Sequence, residues 1–342
     1  MRSSAVAVGL AIAASTCAAF AIVAFPREAR AFCRTTTAAV PADFQPGPSQ
    51  CYDRGLPLWW KNACVGYSLQ KDASRQVSYD DAANAITRAF TKWTSTTCAT
   101  DGTGSSRVSV DVRDLGPVSC GLVQYSSDQP NQHVIAFRDD TWPHNDANNT
   151  LALTTVVFNP ETGEIYDADM EINSAQQKMT LGDHVPADGY DFASIVTHET
   201  GHFLGMAHSG DPHATMFAHY LPGSTTLRNL TADDVSGICT IYPPDRTRVV
   251  GGAVADGGKV PEESCDPTPR HGFGTQCASP QKKGCSVAAA SVGAARALDG
   301  AASAWAPWAV LLAPTVSMLF ARRLQRKRRR GTALSSWGKQ ET

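Results

Sequence analysis

Five of the nine histidines in this chain of 342 residues fall between His198 and His219, and three of them stand with Glu199 in the pattern H-E-x-x-H-x-x-G-x-x-H. His198 and His202 are four residues apart, so on a helix they share one face and can aim two ring nitrogens at a single point. Gly205 can take the positive φ that ends a helix and doubles the chain back, which would bring His208 to the same point. Three neutral imidazoles suit a borderline-soft divalent ion such as zinc, and three protein ligands leave a fourth position open for water. An open position implies catalysis. Glu199, between the first two ligands, is then the natural general base for that water. His213 and His219 are read as loop histidines near the cleft.

Other elements must position these groups. Ser78 with Asp81 has the form of a capping box, and Ala82, Ile86, Ala89, Phe90 and Trp93 recur at helical spacing, which predicts a core-facing amphipathic helix. The stretch LPLWWKNACVGYSL reads as a first strand, RVSVDVRDL as a second with Val108, Val110 and Val112 on one face, and QHVIAF as a third. LALTTVVF and EIYDADMEI flank the turn Asn159–Gly163 and predict a hairpin. Asp167, Asp169 and Glu171 alternate, so all three lie on one strand face, where they repel unless a cation or solvent separates them. Thr231, followed by Asp233 and Asp234, predicts the N-terminus of a last helix.

The histidine motif, followed eight residues after His208 by Met216, resembles the zinc site and Met-turn of the metzincin metallopeptidases. Within them it is most similar to the matrixins, because Ser209 follows the third histidine and Tyr220 stands four residues after the methionine. The resemblance covers residues 52–243. It implies an α+β fold with a twisted, mostly parallel sheet, an antiparallel edge strand, an active-site helix and a C-terminal helix. It implies zinc on His198, His202 and His208, Glu199 as base, and Met216 as a hydrophobic floor that does not ligate. Leu151–Phe158 would be the edge strand along which a peptide substrate lies, and Thr197, Phe217 and Tyr220 would shape the pocket beside the metal. Matrixins carry a similar acidic run that holds calcium, which assigns a calcium ion to Asp169 and Glu171; a solvent-facing acidic strand is the alternative. The histidine of the family's second, structural zinc is missing from this run, and so is the propeptide cysteine motif.

Composition bounds the rest. Residues 52–243 hold 11 Lys and Arg against 23 Asp and Glu, a net charge of −12, which argues against nucleic acid as a partner. An apolar run over 4–25 ending near Ala29-x-Ala31 reads as a signal peptide, 1–31, or else an uncleaved anchor. Residues 32–51 form a short N-terminal segment, and 244–302 a Pro/Gly/Ala-rich linker. The uncharged run 303–320 can cross a bilayer as a transmembrane segment, or pack as a peripheral helix, with 321–342 as a basic cytoplasmic tail. Cys285 in GCSV, with the run and arginines after it, resembles the C-terminal sorting signals of myxobacterial surface proteins. Setting aside Cys17 and Cys285, eight cysteines allow four disulfides in 105 connectivities; isolation in the linker suggests that Cys265 bonds Cys277, and Cys33 and Cys51 are expected in disulfides. Together these features imply an exported, surface-anchored, monomeric endopeptidase acting on protein or peptide. A zinc-stabilised adhesion module without turnover is the competing class, and a hydrolase of non-peptide substrates a third.

Overall fold

A computed structural model describes residues 32–278, apart from 42, 45, 48, 49 and 101–104, together with 331–339. In chain order the first elements are β1 (Cys33–Arg34), β2 (Cys64–Leu69), α1 (Tyr79–Thr94), β3 (Thr97–Ala99), β4 (Ser105–Arg107), β5 (Asp111–Asp114) and β6 (Val134–Phe137). Next come β7 (Thr150–Phe158), β8 (Ile165–Ile172), β9 (Met179–Thr180), β10 (Tyr190–Asp191), α2 (Phe192–Phe203), β11 (Met206–Ala207), β12 (His219–Tyr220) and α3 (Ala232–Ile241). The hairpin β13 (Thr247–Val250) and β14 (Ala253–Lys259) precedes β15 (Gly331–Lys339).

α1 forms where its spacing predicts it. The Ser78 hydroxyl accepts the Asp81 amide at 3.2 Å, and Ala82, Ala85, Ile86, Ala89, Phe90 and Trp93 are the buried stripe. That stripe packs on α2, and Trp93 Nε1 donates to the Thr197 carbonyl at 2.9 Å. The main sheet has the order β5-β2-β6-β8-β7-β15-β12. Its β5, β2, β6 and β8 are parallel, and β7 pairs antiparallel with β8 in the register Thr154↔Met170. Ala168, Met170 and Ile172 join the main core with α2, so the period of two turns Asp167, Asp169 and Glu171 to the opposite face. The fold is that of the metzincins: a mostly parallel sheet, antiparallel strands at its edge, and a few helices.

Several local expectations are corrected. RVSVDVRDL is two strands, because Ser109 leaves the ladder to meet Tyr242 and Arg248: its amide donates to the Tyr242 carbonyl at 3.1 Å and its hydroxyl accepts Arg248 Nη1 at 2.6 Å. LPLWWKNACVGYSL is strand only from Cys64; Trp59 and Trp60 instead donate their indole N–H groups to the carbonyls of Thr162 and Phe203. Cys265 does not bond Cys277. The pairs are Cys33–Cys51, Cys64–Cys265, Cys98–Cys239 and Cys120–Cys277. Two of these bridges pull residues 244–278 onto the domain, where Arg248 is buried, so this part is no free linker. Low periodicity concealed it, since disulfides and a buried guanidinium leave no pattern in a Gly/Pro-rich stretch. Within the region expected as a basic tail, 331–339 adds to the sheet edge. An unpaired edge offers a full row of N–H and C=O groups to any extended segment. Among the described residues no helix is long and apolar enough to cross a membrane. The regions 1–31 and 303–320 and Cys285 lie outside the described residues.

Candidate metal centre

α2 starts at Asp191, whose carboxylate accepts the Ser194 amide at 3.0 Å and its hydroxyl at 2.7 Å. Arg228 grips the same carboxylate through Nε and Nη2, both at 2.7 Å, which fixes the helix start. At the other end the Phe203 carbonyl accepts Trp60 Nε1 at 2.7 Å and the Leu204 carbonyl accepts the Tyr242 hydroxyl at 2.9 Å, so the last turn is satisfied although buried. Gly205 then turns the chain at φ +95°, and a Cβ there would lie 2.9 Å from the Leu58 carbonyl oxygen. This is the turn expected of it.

The N-terminal segment fastens the returning loop. β1 pairs antiparallel with β11, the Thr35 amide donates to the Gly205 carbonyl at 3.0 Å, and the Thr35 hydroxyl donates to the Met206 carbonyl at 2.8 Å. α3 holds the far side of the loop. Its capping box at Thr231 uses Asp234, whose carboxylate also accepts the amides of Thr215 at 2.8 Å and Met216 at 3.1 Å, while Ser209 donates to Asp233 at 2.6 Å. The first-turn acids read as helix-end charges thus anchor the Met-turn and the residue after His208. Burial pushes the Asp234 carboxyl above its ordinary range.

One ring nitrogen from each of His198, His202 and His208 lies within 4.8 Å of the other two. His198 Nδ1 meets the Thr215 carbonyl at 2.7 Å and His202 Nδ1 meets the Met206 carbonyl at 2.9 Å. A carbonyl only accepts, so both Nδ1 atoms carry the proton and both Nε2 atoms present lone pairs, 3.1 Å apart. Two facing lone pairs at that distance repel, and a cation between them removes the repulsion. Burial keeps both rings neutral: His202 is pushed down to about 4, and His198 is lowered by burial and then by its two neighbouring histidines. Neutral imidazoles oriented through Nδ1 are the donor set that zinc takes, with Zn–N bonds of about 2.0–2.1 Å. The residues therefore fit the metal.

Glu199 is fully buried, and its Oε2 accepts the Thr154 hydroxyl at 2.6 Å. Oε1 has no hydrogen-bond partner among the described residues. Burial pushes this carboxyl up to about 8, against the stabilising Thr154 bond. Met216 lies beneath the helix: a Cβ on Gly201 would stand 2.3 Å from its sulfur and 2.8 Å from Trp93, so glycine is the residue that lets the floor approach. Of the expected pocket residues, Thr197 is buried with its hydroxyl on the Ala193 carbonyl at 2.6 Å. Phe217 is half-buried against His219, and Tyr220 is buried with its hydroxyl on the Ser224 carbonyl. His213 is exposed.

The two residues assigned to calcium meet donors of the protein. Asp169 accepts the amides of Val134 at 2.7 Å and Gln124 at 3.0 Å, and Glu171 accepts Arg138 Nε at 2.5 Å and His144 Nε2 at 2.6 Å. Asp167 Oδ1 has no hydrogen-bond partner among the described residues, and the face lies across the sheet from the histidines. A solvent-facing strand is excluded, because all three carboxylates are buried. Thr154, Asp191, Arg228 and Thr35 escaped the sequence because single polar residues on strands and loops carry no spacing signal.

Residues 122–243 match the Matrixin family model. Matrilysin of Homo sapiens is 37% identical over 103 residues, 30% of this chain and 35% of its own. Metalloendoproteinase 1-MMP of Arabidopsis thaliana is 26% identical over 200 residues, 57% of this chain and 47% of its own, and matrix metalloproteinase-16 of Homo sapiens is 30% identical over 196 residues, 55% and 28%. The chain spans less than half the length of each of these relatives. In sequence over residues 122–243 and in fold, this is a matrixin-like domain.

Proposed function

We propose that the chain is an exported zinc-dependent endopeptidase, with zinc on His198, His202 and His208 and Glu199 as general base. The observation that carries this is Glu199 Oε1, a buried carboxylate oxygen left without a partner beside three converging imidazoles. A binding module gains nothing from such an atom, because an unsatisfied buried acceptor costs stability unless a water or substrate proton meets it. When bound, zinc supplies Lewis-acid chemistry, making a water more acidic and polarising a carbonyl. Glu199 Oε1 takes the proton of the attacking water, the water oxygen bonds the scissile carbonyl carbon, and the C–N bond breaks as Glu199 returns the proton to the leaving amine. Thr154 holds Oε2 and so aims Oε1.

The substrate is a protein or peptide in extended form, added as a strand along β7 through backbone hydrogen bonds, with side-chain preference set around Phe217 and Tyr220. Four disulfides support export to an oxidising compartment, and the acidic body disfavours nucleic acid. The test is zinc content and hydrolysis of a quenched-peptide library by wild type and Glu199→Ala. Removing the base should retain one zinc per chain and lower turnover by about 10²–10⁴. Equal turnover by the variant would remove Glu199 from its role, and zinc without cleavage by either protein would favour the adhesion module.

A further inference from the structure

β15 lies where an added strand would lie. It runs antiparallel to β7 from Gly331↔Phe158 to Gly338↔Thr150, with Ser335 opposite Thr154, the residue that holds Glu199. On its other side it pairs parallel with β12, His219↔Gly338 and Tyr220↔Lys339, just after the Met-turn. It also lies against α2. The chain's own backbone thus fills the slot between the edge strand and the segment beyond Met216. Nearby, His198 and Glu199 are 0% exposed and His202 1%, while His208 is half-buried.

We propose that residues 331–339 are an internal occupant of the cleft, which keeps the site latent until the tail is displaced or removed. Two further features of the chain support it. The 52 residues 279–330 can reach up to about 3.3 Å each, far more than a domain's width, and a tethered segment meets its groove at an effective concentration on the order of 1 mM, so modest intrinsic affinity suffices. Residues 321–330, which lead into the strand, carry seven Lys and Arg, whereas residues 52–243 have a net charge of −12, so the tail is attracted to the body it covers.

The latency rests on the peptidase assignment; the docking does not, and the experiment separates them. Hydrogen exchange of the Thr150–Phe158 amides is compared among the zinc-loaded full chain, the full chain with Leu334→Pro and Ser336→Pro, and a chain stopped after Arg330. Docking predicts that both altered proteins lose protection in this strand, and that raising salt loosens it in the full chain. Equal exchange in all three overturns the proposal, whatever they cleave. The same proteins are assayed on quenched peptides: release of the tail should raise kcat/KM about ten-fold or more, and the peptide 331–339 added at on the order of 1 mM should inhibit the shortened chain. Loss of protection with equal kcat/KM overturns the latency. Loss of protection with no cleavage by any of the three leaves the docking standing and removes the peptidase assignment.

Discussion

The two faces of the β7–β8 ribbon each bury a set of ionisable groups, and the two sets are built in opposite ways. On the α2 face the Nε2 atoms of His198 and His202 point at each other and Glu199 Oε1 is left open. On the other face Glu171 is consumed by Arg138 and His144, and Asp169 by two backbone amides. Both clusters look like metal sites in a list of residue types. What separates them is that protein donors meet Asp169 and Glu171 on the second face, whereas no donor meets Glu199 Oε1 among the described residues; Asp167 Oδ1 and His133 Nε2 are likewise left without a hydrogen-bond partner. His133 stands between these cases: burial pushes it down to about 4, and its Nε2 lies 3.6 Å from Asp167.

That contrast can be broken most severely by His202→Ala. Zinc should fall from one per chain to none measurable by mass spectrometry, since two remaining imidazoles make a poor site. Retention of stoichiometric zinc would mean that the metal sits elsewhere. Next in size is Arg138→Ala, which strips a charged partner from Glu171, 3% exposed, although Arg138 itself is 18% exposed. It should cost about 2–3 kcal/mol in urea unfolding, somewhat below a fully buried pair, and leave zinc affinity unchanged. A shift in zinc affinity would show that the faces communicate. Thr154→Val removes the bond to Glu199 without changing size, and a roughly ten-fold loss in kcat/KM at constant zinc is expected from one charge-assisted hydrogen bond. An unchanged rate would leave Thr154 a packing residue.

The smallest effect is on pH dependence. Burial raises Asp167, with the neighbouring Asp169 second, and Asp169 itself is pushed up to about 8. Asp169 accepts two amides and Asp167 hydrogen-bonds it, so Asp167 is the natural holder of the proton. A folded-state pKa above the unfolded value means that the folded chain binds more protons; the stability it contributes is complete below about pH 4 and is lost as pH rises through the raised folded-state value. Asp167→Asn should therefore have a flatter urea midpoint between pH 4 and 8 than wild type. An equal slope in the two proteins would place the proton elsewhere.

The chain by itself determined the convergence of His198, His202 and His208, the turn at Gly205, α1, the β7–β8 hairpin and the capped α3. Each is a matter of spacing within a few residues, where helical and strand periods, caps and glycine turns act. Tertiary structure alone decided the disulfide pairing, the clasp of Thr35 on the Met206 carbonyl, the grip of Arg228 on Asp191 and the bond from Thr154 to Glu199. It also decided that Asp169 and Glu171 meet protein donors, and that residues 331–339 pair along β7. These depend on partners tens to hundreds of residues away, and a hydrogen bond or an edge pairing is set by where backbone and side chain meet in space, which local periodicity does not encode.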